Sequence, residues 1–112
     1  MKIAYIICPN GLGHLRRSIT IINNISRLKV IDITIFMHPN SYGNDLIESL
    51  LRKNKIKIIK MELPHPVYTK NKVNYFSLIK NFKTKLKNYN LIISDNLIYP
   101  LIGISNKKIV FI

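Results

Sequence analysis

The chain is short of acids: its 112 residues hold five Asp and Glu against 18 Lys and Arg, for a formal net charge of +13. It has one cysteine, four glycines and no tryptophan. Each shortage removes a class of function. A single cysteine, Cys8, allows neither an intrachain disulfide nor a paired-cysteine metal site. Its place at the end of an apolar run suits a small buried hydrophobe, compatible with a reducing cytoplasm. No apolar run is long enough to span a bilayer. The apolar start Met1–Cys8 leads into Pro9-Asn10-Gly11 rather than an export cleavage site.

A hydrophobic content of 47% excludes a wholly disordered chain. The length allows one small domain and not a two-domain enzyme. The positive charge points first to nucleic acid or an anionic membrane surface. Composition supplies a plainer account, because the chain holds 22 Ile, 14 Lys and 13 Asn, three types favoured together by AT-rich coding sequence.

The pattern alternates strand and helix. Lys2–Cys8 is a continuous Ile-rich apolar run, the mark of a strand buried on both faces. Pro9–Gly13 breaks it. His14–Leu28 then places Leu15, Ile19, Ile22 and Ile25 on one helical face. Ile31–Met37 reads as a second buried strand, and Ser41 as the cap of a helix through about Asn54. Lys55–Met61 alternates Lys with Ile, as an edge strand does. Glu62–Val73 reads as a loop and Asn74–Asn88 as a helix, with Tyr75, Ile79, Phe82 and Leu86 inward. Leu91–Ser94 is a fourth buried strand, Ile98–Ser105 a short turn or helix, and Lys107–Ile112 a fifth strand.

Strands alternating with helices imply parallel pairing through right-handed crossovers. The expected architecture is α/β, a Rossmann-like doubly wound parallel sheet in order 3-2-1-4-5. Lys107–Ile112 is apolar enough to be covered on both faces, yet no helix follows it. The sequence therefore reads as part of a longer design, incomplete at its C-terminus.

The aromatics Tyr75, Phe76 and Phe82 fall mostly on the inward stripe of their helix, so no platform for stacking bases is expected, and nucleic acid is not an expected partner. Lys80, Lys83, Lys85 and Lys87 leave docking on anionic lipid open, beside the plainer reading of a solvated face. His38 and His65 have no metal-ligand spacing with any acid or with Cys8, and no metal or cofactor is expected.

The most informative segment is Cys8-Pro9-Asn10-Gly11-Leu12-Gly13-His14-Leu15-Arg16-Arg17. Gly11 and Gly13 stand where the chain turns from strand to helix. Glycine there tolerates positive φ and lets a ligand approach the backbone, and the free N–H groups of the new helix favour an anion. A tight turn with no ligand is the alternative. A dinucleotide fingerprint does not fit: its third glycine would fall on Arg16, and the second strand ends Phe36-Met37-His38-Pro39 with no acid for a ribose.

His14 falls in the first turn of that helix, a place that favours the neutral imidazole and so a general base. Such a base is commonly oriented by a carboxylate on its other nitrogen. Of the five acids, Asp95 alone stands at the carboxyl end of a strand. In the order 3-2-1-4-5 that strand lies beside the first, so Asp95 and His14 open onto one crevice at the switch point. The alternative has Asp95 capping the turn that follows it and His14 facing solvent or backbone.

Gly11-Leu12-Gly13-His14-Leu15-Arg16-Arg17 resembles the G-x-G-H-x-x-R signature of GT-B glycosyltransferases. The closest likeness is to nucleotide-sugar transferases related to the lipid-intermediate N-acetylglucosaminyltransferase of cell-wall synthesis and to the UDP-glycosyltransferase group. Leu91–Asn96 followed by Lys108–Ile112 resembles later strands of the same N-terminal domain. The resemblance implies an acceptor-side domain moving a sugar from a nucleotide-sugar donor to an acceptor hydroxyl. His14 would be the catalytic or cleft-lining residue, and Asp95 its partner by position. Asn10, Gly11, Leu12, Gly13, Arg17 and Asn96 would face the donor. It implies a separate donor-binding domain, from this polypeptide or a partner chain, and peripheral contact with the inner face of a membrane. Nucleotide-sugar hydrolases with a similar turn and fold, and a non-catalytic binding subunit, are the alternatives.

Overall fold

The computed structural model describes residues 1–8, 12–28, 30–39, 56–64, 72–97, 101, 104 and 108–112. The strands are β1 (Lys2–Ile6), β2 (Asp32–Met37), β3 (Lys57–Lys60), β4 (Leu91–Ser94) and β5 (Lys108–Phe111). The helices are α1 (Leu12–Ile25) and α2 (Lys72–Leu86). The five strands form one sheet in the order β3-β2-β1-β4-β5. Every neighbouring pair is parallel, with Ile6 opposite Phe36 on one side and Ser94 on the other. This is the expected Rossmann-like α/β architecture. The expected helix at 41–54 and most of the turn at 98–105 lie outside the described residues, as do 65–71 of the loop before α2 and therefore His65.

The period-two geometry of the strands divides the core into two layers. Ile3, Tyr5 and Ile7, with Ile33, Ile35, Met37 and Ile93, pack on one face against Leu15 and Ile22 of α1. Ala4, Ile6 and Cys8, with Phe36 and Ile92, pack on the other against Phe82 and Leu86 of α2. Each fully buried Leu, Ile or Phe contributes about 1.5–3 kcal/mol of transfer free energy. Phe36 anchors the second layer, its ring edge-on to Phe82 at 5.2 Å between centroids. Strands β1, β2 and β4 are thus covered on both faces, which is why they read as nearly unbroken apolar runs.

Several boundaries and one face differ from the sequence expectation. Helix α1 begins at Leu12 rather than His14, and α2 spans Lys72–Leu86 rather than 74–88. Phe76 is not inward: it is 73% exposed. Residues 75, 79, 82 and 86 share one helical phase, and position 76 is turned about 100° from it. The fifth strand agrees with the expectation that no helix covers it: Lys108–Phe111 are all exposed, with Phe111 at 54%. Strand β3 is the sheet edge that its Lys/Ile alternation implied.

Candidate functional site

The reversal of strand order lies between β1 and β4, and the carboxyl ends of those strands open the crevice. The β1–β4 ladder runs one step beyond the strands, where the Asp95 N–H donates to the Ile6 carbonyl at 2.9 Å. The turn after β4 is closed by the buried Ser94 hydroxyl donating to the Leu97 carbonyl at 2.6 Å. Asn96 takes a left-handed conformation (φ 55°), which Asn tolerates better than most residues, and its N–H donates to the Ile112 carbonyl at 2.9 Å. These constraints fix the backbone on either side of Asp95 and aim its side chain at α1.

Asp95 is fully buried and meets three side chains from one face of α1, at positions i, i+3 and i+4. His14 Nδ1 lies 3.1 Å from Oδ1. The Arg17 guanidinium donates to the same Oδ1 in a short ion pair. Ser18 Oγ donates to Oδ2 at 2.9 Å. Arg17 Nη2 also lies 3.2 Å from His14 Nδ1. The hydrogen bond to Asp95 raises the Arg17 pKa above its ordinary value, with desolvation opposing it in part. A buried carboxylate is costly unless paired and hydrogen-bonded, and here both oxygens have donors. The exposure falls off from Arg17, at 45%, through His14, at 23%, to Asp95 at 0%. The imidazole therefore stands between solvent and a buried anion.

Tyr5 lies beneath this cluster. Its hydroxyl is buried without a hydrogen-bond partner among the described residues. Burial raises the phenol pKa, an effect that the neighbouring Ser18 hydroxyl and Arg17 charge oppose in part.

The structure thus brings together His14, Arg17 and Asp95, three of the residues singled out in the sequence. Asn10 and Gly11 lie outside the described residues. Leu12 opens α1. Gly13 sits in the first turn of α1, exposed and helical, so the sharp turn expected at that position is not made there. Among the described residues a Cβ at Gly13 would meet nothing within 4 Å. Asn96 is exposed at the far side of the Asp95 turn. Sequence reasoning missed Ser18, Ser94 and Tyr5. Ser18 had a usable signal, being four residues after His14 and on the inward stripe between Leu15 and Ile22.

His38 lies half-buried just past β2. Among the described residues no group of three or more His, Cys, Asp or Glu could hold a metal ion, and no helix is long and apolar enough to cross a membrane. Comparison with protein-family models, curated proteins and solved structures finds no match to this chain.

Proposed function

We propose that the chain forms the acceptor-side half of a glycosyl-transfer cleft. The observation that carries this reading is the contact of His14 Nδ1 with the buried Asp95 carboxylate at the switch point of the sheet. A proton on Nδ1 donated to Oδ1 leaves Nε2 as the accepting nitrogen. Nε2 then removes the proton of an acceptor hydroxyl. That oxygen attacks the anomeric carbon of a nucleotide-sugar, the bond from that carbon to the diphosphate oxygen breaks, and the nucleoside diphosphate leaves with the electron pair. Among the described residues nothing crowds Gly13, which supports approach of the donor diphosphate to the helix start. The donor-binding half of the cleft is assigned to a second α/β unit, in the same polypeptide or in a partner chain.

Water in place of the acceptor gives the hydrolase reading, and a cleft that binds without turnover gives the binding-subunit reading. One experiment separates them. The chain is titrated with nucleotide-sugars and followed by backbone NMR, then assayed for sugar transfer and for free sugar together with the donor-binding unit, the chain alone being expected inactive. Shifts confined to the start of α1 and residues 94–97, with transfer lost in His14→Ala, are expected. Free sugar instead of transfer selects the hydrolase, and shifts without turnover select the binding subunit. No nucleotide-sugar perturbing those residues overturns the proposal.

Peripheral contact with anionic lipid belongs to the same reading. It is supported by exposed Phe76 lying in phase with Lys80 and Lys83 on α2, with Lys87 one residue past its end.

A further inference from the structure

His14 Nδ1, Asp95 Oδ1 and Arg17 Nη2 lie within mutual hydrogen-bonding reach, with separations of 3.1 Å and 3.2 Å around the imidazole nitrogen. The three contacts cannot all be hydrogen bonds at once. A guanidinium only donates, and a neutral imidazole nitrogen either donates or accepts. In one arrangement Arg17 donates to Nδ1 as well as to Oδ1, and the ring proton sits on Nε2. In the other, Nδ1 carries the proton and donates it to Oδ1, and Nε2 is bare.

Asp95 does not need His14 while Arg17 is in place. Oδ1 is then served by Arg17 and Oδ2 by Ser18. The carboxylate is also the immobile member, being fully buried and held by its own backbone and by Ser18. Arg17 is the movable one: nearly half its side chain is exposed, and among the described residues its guanidinium meets only Asp95 and the partly solvated His14. If its guanidinium turns away, Oδ1 becomes a buried anionic oxygen short of a donor, a costly state. The Nδ1–H of His14 is the donor within reach that restores it.

We propose that Arg17 is an anion-responsive positioning residue that switches the tautomer of His14. With Arg17 on Asp95, the proton of the ring faces outward on Nε2 and the base is masked. A diphosphate entering the crevice draws the guanidinium onto itself. His14 then releases the Nε2 proton to water and takes one from water at Nδ1, with no net change in charge. Nδ1–H closes on Asp95, and Nε2 is ready to accept a proton. The base is armed only when an anionic ligand is present. This inference rests on the reading of His14 as the base, and it identifies the ligand class that regulates it.

The test needs no turnover. The full chain with 15N-labelled histidine is examined by long-range 1H–15N correlation at a pH where the ring is neutral. His14 is assigned by difference with His14→Gln. Inorganic pyrophosphate is the probe. The expected result is an Nε2–H ring in the free chain that becomes Nδ1–H as pyrophosphate is added. Arg17→Met, which keeps an unbranched apolar stem, is expected to show Nδ1–H without the anion and no response to it. The wild-type titration stands alone if that variant does not fold. A free chain already in the Nδ1–H form overturns the switch. So does a tautomer that pyrophosphate leaves unchanged, whether or not the anion perturbs the amides of α1. Loss of sugar transfer with the tautomer response intact would sink the functional reading and leave the switch standing.

Discussion

His14 and Asp95 stand 81 positions apart, yet Nδ1 of the one lies 3.1 Å from Oδ1 of the other. Sheet order produces the contact: β4 lies beside β1, and each residue follows the carboxyl end of its strand. The two residues carry different burdens. The buried Asp95 carboxylate accepts hydrogen bonds from Ser18 and Arg17 of α1, whereas His14 is partly solvated. Asp95→Ala is therefore expected to cost about 1–3 kcal/mol of stability, because Ser18 loses its acceptor and Arg17 its counter-ion. His14→Ala is expected to leave urea unfolding nearly unchanged and to lower transfer about 10²–10⁴-fold. Equal stability losses for the two variants would contradict this division.

Much of the fold was legible because burial on both faces writes itself as strands that are apolar nearly throughout, as in Ile3–Ile7 and, but for Thr34, Ile33–Met37. The pairing of His14 with Asp95 was legible for the same reason, since strand order alone sets it. Ser18 was not. A single hydroxyl on an apolar stripe looks like a tolerated small residue until its acceptor, 77 positions away, is located. Tyr5 was hidden inside an Ile-rich run, where an aromatic is read for its ring and not its hydroxyl. The exposure of Phe76 needed strict helical phasing against Phe82 and Leu86. The exposure of Val110 and Phe111 agrees with the reading that no helix follows the fifth strand to cover it.

Gly13 offers a contrast between stability and binding. Its backbone is helical, and among the described residues a Cβ would meet nothing within 4 Å. Gly13→Ala should therefore stabilise the chain by up to about 0.5–1 kcal/mol through helix propensity. If a diphosphate approaches the helix start there, the same methyl should weaken nucleotide-sugar binding. Thermal unfolding and ligand titration of one variant check both. A stabilised variant that binds as the wild type does would remove Gly13 from the ligand surface.

Tyr5 predicts an alkaline limit. Burial raises its phenol pKa in the folded chain above the ordinary 10.0. As pH rises past about 10 the unfolded phenol ionises while the folded one stays protonated. Stability present below that pH is lost as pH climbs through the raised value. Tyr5→Phe lacks this ionisation, so its stability should fall less steeply in that window. At neutral pH it should match the wild type within about 1 kcal/mol, since the hydroxyl removed has no hydrogen-bond partner among the described residues. Parallel losses for both proteins above pH 10 would show that Tyr5 is not responsible.

Phe82 tests the second core layer. It is fully buried and meets Phe36 edge-on. Phe82→Ala should cost about 3–5 kcal/mol, a large part of the 5–15 kcal/mol typical of a domain. Phe82→Leu should cost much less. The measurement is the urea midpoint, and similar values for the two variants would place the load elsewhere than in ring packing.

The last prediction concerns α2. Phe76 is 73% exposed, Lys80 and Lys83 follow it at i+4 and i+7 close to one helical line, and Lys87 stands one residue past the end of α2. No acid interrupts residues 72–90. A protruding ring flanked by cations suits an anionic bilayer, with the ring entering the interface and the ammonium groups meeting lipid phosphates. The chain should sediment with phosphatidylserine vesicles, and should release as salt rises. Its +13 charge would give some such binding from any face, so the control is charge-matched. Changing Lys80, Lys83 and Lys87 to Gln should release the chain at lower salt than changing Lys57, Lys60 and Lys108 to Gln. Phe76→Ser should weaken binding with every charge kept. Equal losses from the two lysine sets would show diffuse attraction and no docking face on α2.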